Sequence, residues 1–255
     1  MSKTAAPILG AQELALLDEL DRRLVELASG LGAEEQRYPA LIARSTVEQA
    51  EYPQAFPHLL MFAAPLRDPE LAANRTPLAE NLGEADWCLS PAVCYHAYAQ
   101  HAGRRVEQGF AITARGRCFR HEASVTPGTR QIEFEMREII WIGPDDWVEQ
   151  QLEQGRRRLT VLAADWGLAG EWVVAEDPFF LPAARGKALM QRLQETKLEY
   201  QSHDGAVALA SINRHGSFFG SRFGIIDGRG ESVHTACLAV GLDRWRSRLS
   251  KARTS

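Results

Sequence analysis

The chain has 255 residues, 45% of them hydrophobic, and a formal net charge of −4. That length supports one sizeable core and excludes a minimal module. The negative balance weighs against a dedicated nucleic-acid binder, because such proteins gain most of their affinity by neutralising phosphates with a basic surface.

The N-terminus, MSKTAAPILGAQELALLDEL, lacks the long apolar stretch of a signal peptide. Leu14, Leu17, Leu20, Leu24 and Leu27 follow at steps of three and four, so residues 11–29 are expected to form an amphipathic helix. Tyr52-Pro53 and Phe56-Pro57 break the next stretch, and an apolar run begins at Leu59. Pro91 opens a predicted helix through Cys94 and Tyr98. Residues 108–120 and 130–142 read as β-rich runs, with SVTPGTR at 124–130 as the loop between them. The second run alternates and then turns fully apolar, as a long central strand of an antiparallel sheet does.

A helix is predicted over 146–166, with Asp145 or Asp146 as its N-cap, and another over 184–196. Strands are predicted over 197–201, 206–213 and 221–226. The tail from about Thr235 to Arg248 starts apolar around Gly241 and ends as a basic helix. No repeat, low-complexity stretch or flexible linker is visible. Nor is there the run of about 18 apolar residues that a membrane span needs. Long antiparallel strands flanked by helices, without βαβ alternation, predict an α+β fold. The economical organisation is a helical N-terminal segment over 1–45 and one domain over 46–255. A cytoplasmic protein is the default expectation.

Two blocks carry chemistry. The first is Arg117-Cys118-Phe119-Arg120-His121-Glu122, followed by Arg130, Phe134 and Glu138. Arginines on both arms of a hairpin suit planar, bidentate recognition of phosphate or carboxylate, and Phe134 offers a face to a flat heterocycle. The competing reading is a surface hairpin whose arginines pair with Glu122, Glu133 and Glu135; on pattern alone it is the stronger. The second block is His234-Thr235-Ala236-Cys237 leading to Gly241-Leu242-Asp243-Arg244. A glycine at a strand–helix junction lets backbone approach a ligand and aims Arg244 at a triphosphate, or else forms an ordinary packed corner.

Arg120-x-Glu122, the Arg130 loop and Phe134 resemble motif 2 of class II aminoacyl-tRNA synthetases, and Gly241-Leu-Asp-Arg244 resembles motif 3. More closely, the chain resembles the atypical seryl-tRNA synthetases of methanogens and, within that group, the amino acid–carrier-protein ligases. The segments that carry this are EYPQAFP (51–57), LSPAVCYHAY (89–98), CFRHE (118–122), REIIWIG (137–143), EDPFF (176–180), KLEY (197–200), SINRHGSFFGSRFGI (211–225) and HTACLAVGLDR (234–244). The resemblance implies a class II synthetase-like antiparallel sheet flanked by helices, holding a bent ATP.

It also implies roles. Arg120 is expected on the α-phosphate and the amino-acid carboxylate, Glu122 on the adenine, and Arg130 on the γ-phosphate. Phe134 is expected under the adenine ring and Arg244 over its other face or the terminal phosphates. Mg²⁺ serves the phosphates, with Glu231 a candidate ligand or an exposed loop acid. Lys197, Glu199, Ser211, Asn213 and His215 line the amino-acid and ATP sites, or else pack as ordinary strand residues. The family's zinc ligands, two cysteines and a glutamate, fall on Cys94, Glu138 and Cys237; the fourth position takes the substrate's α-amino group. Cys88 and Cys118 have no such match and read as packing residues.

The implied activity is adenylation of a small amino acid, glycine or alanine in type, then transfer to the phosphopantetheine thiol of a carrier protein by a homodimer. Seryl enzymes normally carry an N-terminal tRNA-binding domain, and only 50 residues precede the first matched segment. The alternatives are a seryl-type tRNA synthetase and a non-catalytic paralogue. The pattern departs at His121, at Gly216-Ser217-Phe218 and at Trp245. These departures bear on the amino-acid pocket and the carrier contacts, not on the arginines or the proposed zinc ligands.

Overall fold

A computed structural model describes residues 5–73, 78–175, 196–203 and 207–252. The expected helix over 184–196 and the EDPFF segment fall almost wholly outside them. The elements in chain order are α1 (Ala11–Ser29), β1 (Ala33–Gln36), β2 (Leu41–Ala43), α2 (Arg44–Gln49), α3 (Tyr52–Ala55), β3 (Phe62–Ala63), α4 (Pro69–Ala73) and β4 (Trp87–Leu89). Then come α5 (Cys94–Gln100), β5 (Arg105–Val106), β6 (Phe110–Phe119), β7 (Glu133–Gly143), α6 (Asp145–Asp165), β8 (Gly170–Val174), β9 (Lys197–Ser202) and β10 (Ala208–Gly216). The last are α7 (Phe218–Phe223), β11 (Ile226–Asp227), β12 (His234–Gly241) and α8 (Leu242–Ala252).

The main sheet has seven strands in the order β1-β6-β7-β12-β10-β9-β8. Every neighbouring pair is antiparallel except β1 with β6, which is parallel. This is the expected α+β architecture with one parallel edge strand added. Side chains alternate across the sheet, so each strand divides between two faces. One face carries Trp141, Leu238, Ile212 and Tyr200 into the main core, which α1, α6 and α8 cover. Gly155 of α6 makes that approach possible, since a Cβ there would sit 2.9 Å from the buried Trp141 ring. The other face is left to α5, α7 and a cavity.

The amphipathic helix forms as expected, with Leu17, Leu20 and Leu24 buried; Leu14 is instead exposed. The expected N-cap of α6 is corrected. Pro144 takes that place without a side-chain bond, and Asp145 and Asp146 lie inside the first turn, where their charge complements the helix dipole. The expected strand over 221–226 is also corrected. Phe218–Phe223 is a helix, because Phe219 and Phe223 stand one turn apart and both pack on Tyr98 of α5. Only Ile226–Asp227 is extended there. Among the described residues, no helix is long and apolar enough to cross a membrane.

On the covered face, Arg137 is 3% exposed and donates to both carboxylate oxygens of Asp21 in α1, at 2.6 and 2.8 Å. Glu35 of β1 lies 3.0 Å from the same guanidinium. Removing Asp21 leaves a buried cation short of its main partner. Asp21→Ala is therefore expected to cost about 3 kcal/mol, more than Arg137→Met, which removes the charge itself. Urea unfolding of the two variants checks the order; a smaller loss for Asp21→Ala would refute it.

Candidate functional site

The uncovered face is built from alternate residues of neighbouring strands. Phe134, Met136 and Glu138 share it on β7, and Cys237, Ala239 and Gly241 share it on β12. The register sets Ala239 opposite Glu138, and Asn213 opposite Cys237. Lys197 and Glu199 continue the face on β9, opposite Asn213 and Ser211.

Above this face lies a cavity of about 880 Å³. It brings together Arg120, Glu122, Arg130, Phe134, Lys197, Glu199, Ser211, Asn213 and Arg244. The Arg120 guanidinium lies 5.1 Å from the Phe134 ring centre and donates to the Pro91 carbonyl at 3.3 and 3.4 Å. Arg130 is exposed and 3.4 Å from Glu122. Lys197 and Glu199 pair at 3.3 Å. Arg244 donates to the carbonyls of Thr129 at 2.9 Å and Ala208 at 2.7 Å. Burial first, and then the Arg120 charge, pull its pKa below the ordinary arginine value. Arginines 120, 130 and 244 thus share one concavity, which favours an anionic occupant of high charge.

At one edge of the cavity is a second feature. Cys94 at the start of α5, Glu138 in β7 and Cys237 in β12 are all buried, with ligand atoms within 4.8 Å of one another. Asn213 joins the two features: it lines the cavity and its Nδ2 donates to Cys237 Sγ at 3.6 Å. Glu138 Oε1 accepts the Val93 N–H at 2.9 Å, while Oε2 is buried without a hydrogen-bond partner. The hydrogen bond from Cys94 holds the Cys237 thiol well below its usual range, and that same bond, followed by burial, pushes Cys94 well above it. Burial and then the Cys237 charge raise Glu138 to about 8. Three acidic groups in one dry spot cannot all ionise without a cation. Two thiolates and a carboxylate form a donor set suited to zinc, with room for a fourth ligand.

Of the other expected residues, His215 does not line the cavity. Its Nδ1 lies 3.3 Å from both Tyr98 Oη and Thr235 Oγ1, and it lowers the Cys237 thiol further. Phe219, just after Gly216-Ser217-Phe218, packs edge-on to its ring at 4.8 Å. Glu231 does not line the cavity either; it lies in the turn after β11, its N–H donating to Asp227. Trp245 is fully buried in the main core and donates to the Leu209 carbonyl at 3.1 Å. His121, a departure expected to bear on the amino-acid pocket, lines the cavity, and so do His58, Gln131 and Asp243, to which the sequence assigns no role. Nothing in the spacing of Gln131 marks it. Asp243 stood inside a motif that was valued for its arginine.

Sequence relatives identify the family. Amino acid--[acyl-carrier-protein] ligase 1 of Bradyrhizobium diazoefficiens is 33% identical over 247 residues, covering 90% of this chain and 76% of the relative. Ligase 2 of the same organism is 34% identical over 225 residues, covering 83% and 67%. The chain belongs to the amino acid–carrier-protein ligase family. The type-2 serine–tRNA ligase of Methanothermobacter thermautotrophicus is 26% identical over 268 residues, and the chain spans 51% of that protein. Among solved structures, the Methanopyrus kandleri SerRS in complex with a tRNA has a TM-score of 0.79 at 23% identity, over 93% of this chain and 51% of that one. A Naegleria fowleri cytoplasmic serine–tRNA ligase in complex with AMP has a TM-score of 0.73 at 13% identity, over 94% and 48%. These likenesses establish the class II synthetase fold. A search against protein-family models found no match.

The donor cluster makes a prediction that needs no substrate. Cys94 and Glu138 both hold their protons more firmly than usual, so ligation must displace them. Loading Zn²⁺ at pH 7 is expected to release about two protons, and affinity is expected to fall as the pH drops, more steeply below about 8, the value to which Glu138 is raised. Calorimetry of the metal-free protein in buffers of different ionisation enthalpy counts the protons. A pH-independent affinity would rule this cluster out as the ligand set.

Proposed function

We propose that this chain is an ATP-dependent ligase that adenylates a small amino acid and passes it to the phosphopantetheine thiol of a carrier protein. The observation that carries the reading is the junction of two sites. A buried Cys94–Glu138–Cys237 cluster meets a three-arginine cavity across one residue, Asn213. A metal there would grip the substrate's amino group and so anchor a substrate with almost no side chain. The family membership supports the same reading.

The roles divide along the cavity. Arg120 holds the α-phosphate and the amino-acid carboxylate together, so that the carboxylate oxygen attacks the phosphorus in line. Phe134, already under the Arg120 guanidinium, offers its face to the adenine beside Glu122. Arg130 and Arg244 neutralise the outgoing phosphates, with Mg²⁺ supplying further neutralisation when bound. Lys197, Glu199, Ser211 and Asn213 wall the amino-acid end, and His215 steadies the Cys237 ligand from behind. Such chemistry depends on positioning and charge more than on a protein nucleophile. In the second step the carrier's thiol attacks the acyl carbonyl and AMP leaves with the bonding electrons. The reading also carries over the homodimer that the resemblance implies and the cytoplasmic setting that is the default expectation.

ATP–pyrophosphate exchange with glycine, alanine and serine tests the first step. Mass spectrometry of a phosphopantetheinylated acyl carrier protein, run beside a tRNA-charging assay, tests the second. The expected result is exchange with at least one amino acid and a carrier heavier by one aminoacyl group. Charged tRNA with an unmodified carrier would overturn the reading. Arg244→Ala is expected to lower exchange by about 10²-fold or more, the loss of one preorganised charge donor. Cys237→Ala is expected to lose both bound zinc and exchange; full zinc stoichiometry in that variant would refute the ligation.

A further inference from the structure

The loop at 124–131 carries Arg130 and is hydrogen-bonded to the start of α8, which carries Arg244. Inside the loop, Thr126 and Arg130 exchange both backbone bonds, at 2.7 and 2.9 Å. Gly128 has φ +74°, and a Cβ there would sit 2.3 Å from Ser247 Oγ and 2.7 Å from Ser247 Cβ. The loop tip therefore rests directly on α8, and only glycine suits that place. Gln131, 4% exposed, closes the base of the loop. Its Oε1 accepts the Gly128 N–H at 2.8 Å and its Nε2 donates to the Glu133 carbonyl at 3.0 Å. Only this orientation of the amide satisfies both backbone partners. Nearby, the Asp243 carboxylate lines the same cavity, and its Oδ2 accepts the Glu135 N–H at 2.7 Å. The next residue after Asp243 is Arg244, and its Nε returns to the loop at Thr129. Hydrogen bonds thus hold the loop as one ring, from Gln131 to its tip at Gly128, and tie that tip to Arg244 at Thr129.

We propose that Gln131 is a positioning residue for the triphosphate end of the site, holding the Arg130 loop and Arg244 as one preformed unit. This rests on the ATP-dependent reading above. Gln131 lies at the cavity wall with both ends of its amide turned to backbone, at the Gly128 N–H and the Glu133 carbonyl, so it acts through the loop. A loop ordered before ATP arrives pays less entropy on binding. Without the amide, the Gly128 N–H loses a buried partner, the loop loosens, and two arginines lose their shared geometry. The amino-acid end has no part in the ring, so the effect is confined to ATP.

The test is a split of Michaelis constants in ATP–pyrophosphate exchange. Gln131→Leu is expected to raise KM for ATP about tenfold or more, the scale of an orphaned buried hydrogen-bonding group. KM for the amino acid and the bound zinc are expected to stay at the parent values. Gly128→Ala acts on the loop tip, away from the Gln131 side chain's own volume, and is expected to change KM in the same direction, so the inference remains testable if Gln131→Leu folds poorly. Adding Ser247→Gly to Gly128→Ala removes both clashing atoms and is expected to restore part of the loss. Unchanged KM for ATP overturns the inference, and so do both constants rising in step. A parent protein without exchange sinks the functional reading alone. The same variants are then titrated with a non-hydrolysable ATP analogue, and equal affinity across them overturns the inference.

Discussion

Glu138 and Cys237 face the same side of the sheet because β7 and β12 pair with Ala239 opposite Glu138. The rest of the site depends on that register. A slip of one residue would turn every side chain of a strand to the other face. Glu138 would then point into an apolar core, and Trp141 would be driven into the apolar cluster under α5 and α7. The register is held by what the opposite face buries: Ile139, Trp141, Leu238 and Val240 fill a core under three helices. Packing on one side of the sheet therefore fixes chemistry on the other.

The two faces also handle charge differently. Arg137 and Arg115, on the covered face, are matched by Asp21, Glu35 and Glu135, and these pairs tie α1 and β1 to the sheet. On the cavity face, Arg120 and Arg244 are steadied largely by carbonyl oxygens of Pro91, Thr129 and Ala208. A carbonyl orients a guanidinium without cancelling its charge. The charge stays available to an anionic ligand, which is the economical design for a phosphate site. The Cys94–Glu138–Cys237 cluster has the opposite sign and the same logic. Its acidic groups are brought together in a dry spot, and the orphaned Glu138 Oε2 marks where a cation is wanted.

Much of this was legible in the chain. The leucine spacing in α1, the two long strands around 124–130 and the closing apolar strand with its basic helix all follow from local periodicity, and the structure keeps them. The stretch at 221–226 was misread because apolar residues around Phe223 and Ile225 suit a strand as well as a helix. The deciding contact, Phe219 stacked on Tyr98 at 4.5 Å, comes from a distant part of the chain. On local pattern the arginine hairpin reads more readily as a surface element, and only β9, β10 and β12 set beside it make it the wall of a cavity.

By itself, the sequence determined the inventory. It names the arginines, the aromatic face and the two cysteines with one glutamate, together with the order of motifs that marks the family. Tertiary structure alone decided which of them meet. Cys94 and Cys237 lie far apart in the chain and converge only because α5 packs over the β7–β12 pair. Glu231 stayed in its turn, away from the cavity, although it lies three residues before β12. Gln131 carried no local signal, because its role depends on a loop that rests on α8, an element from the other end of the domain. Periodicity reports neighbours along the chain, whereas a site is made by neighbours across a sheet.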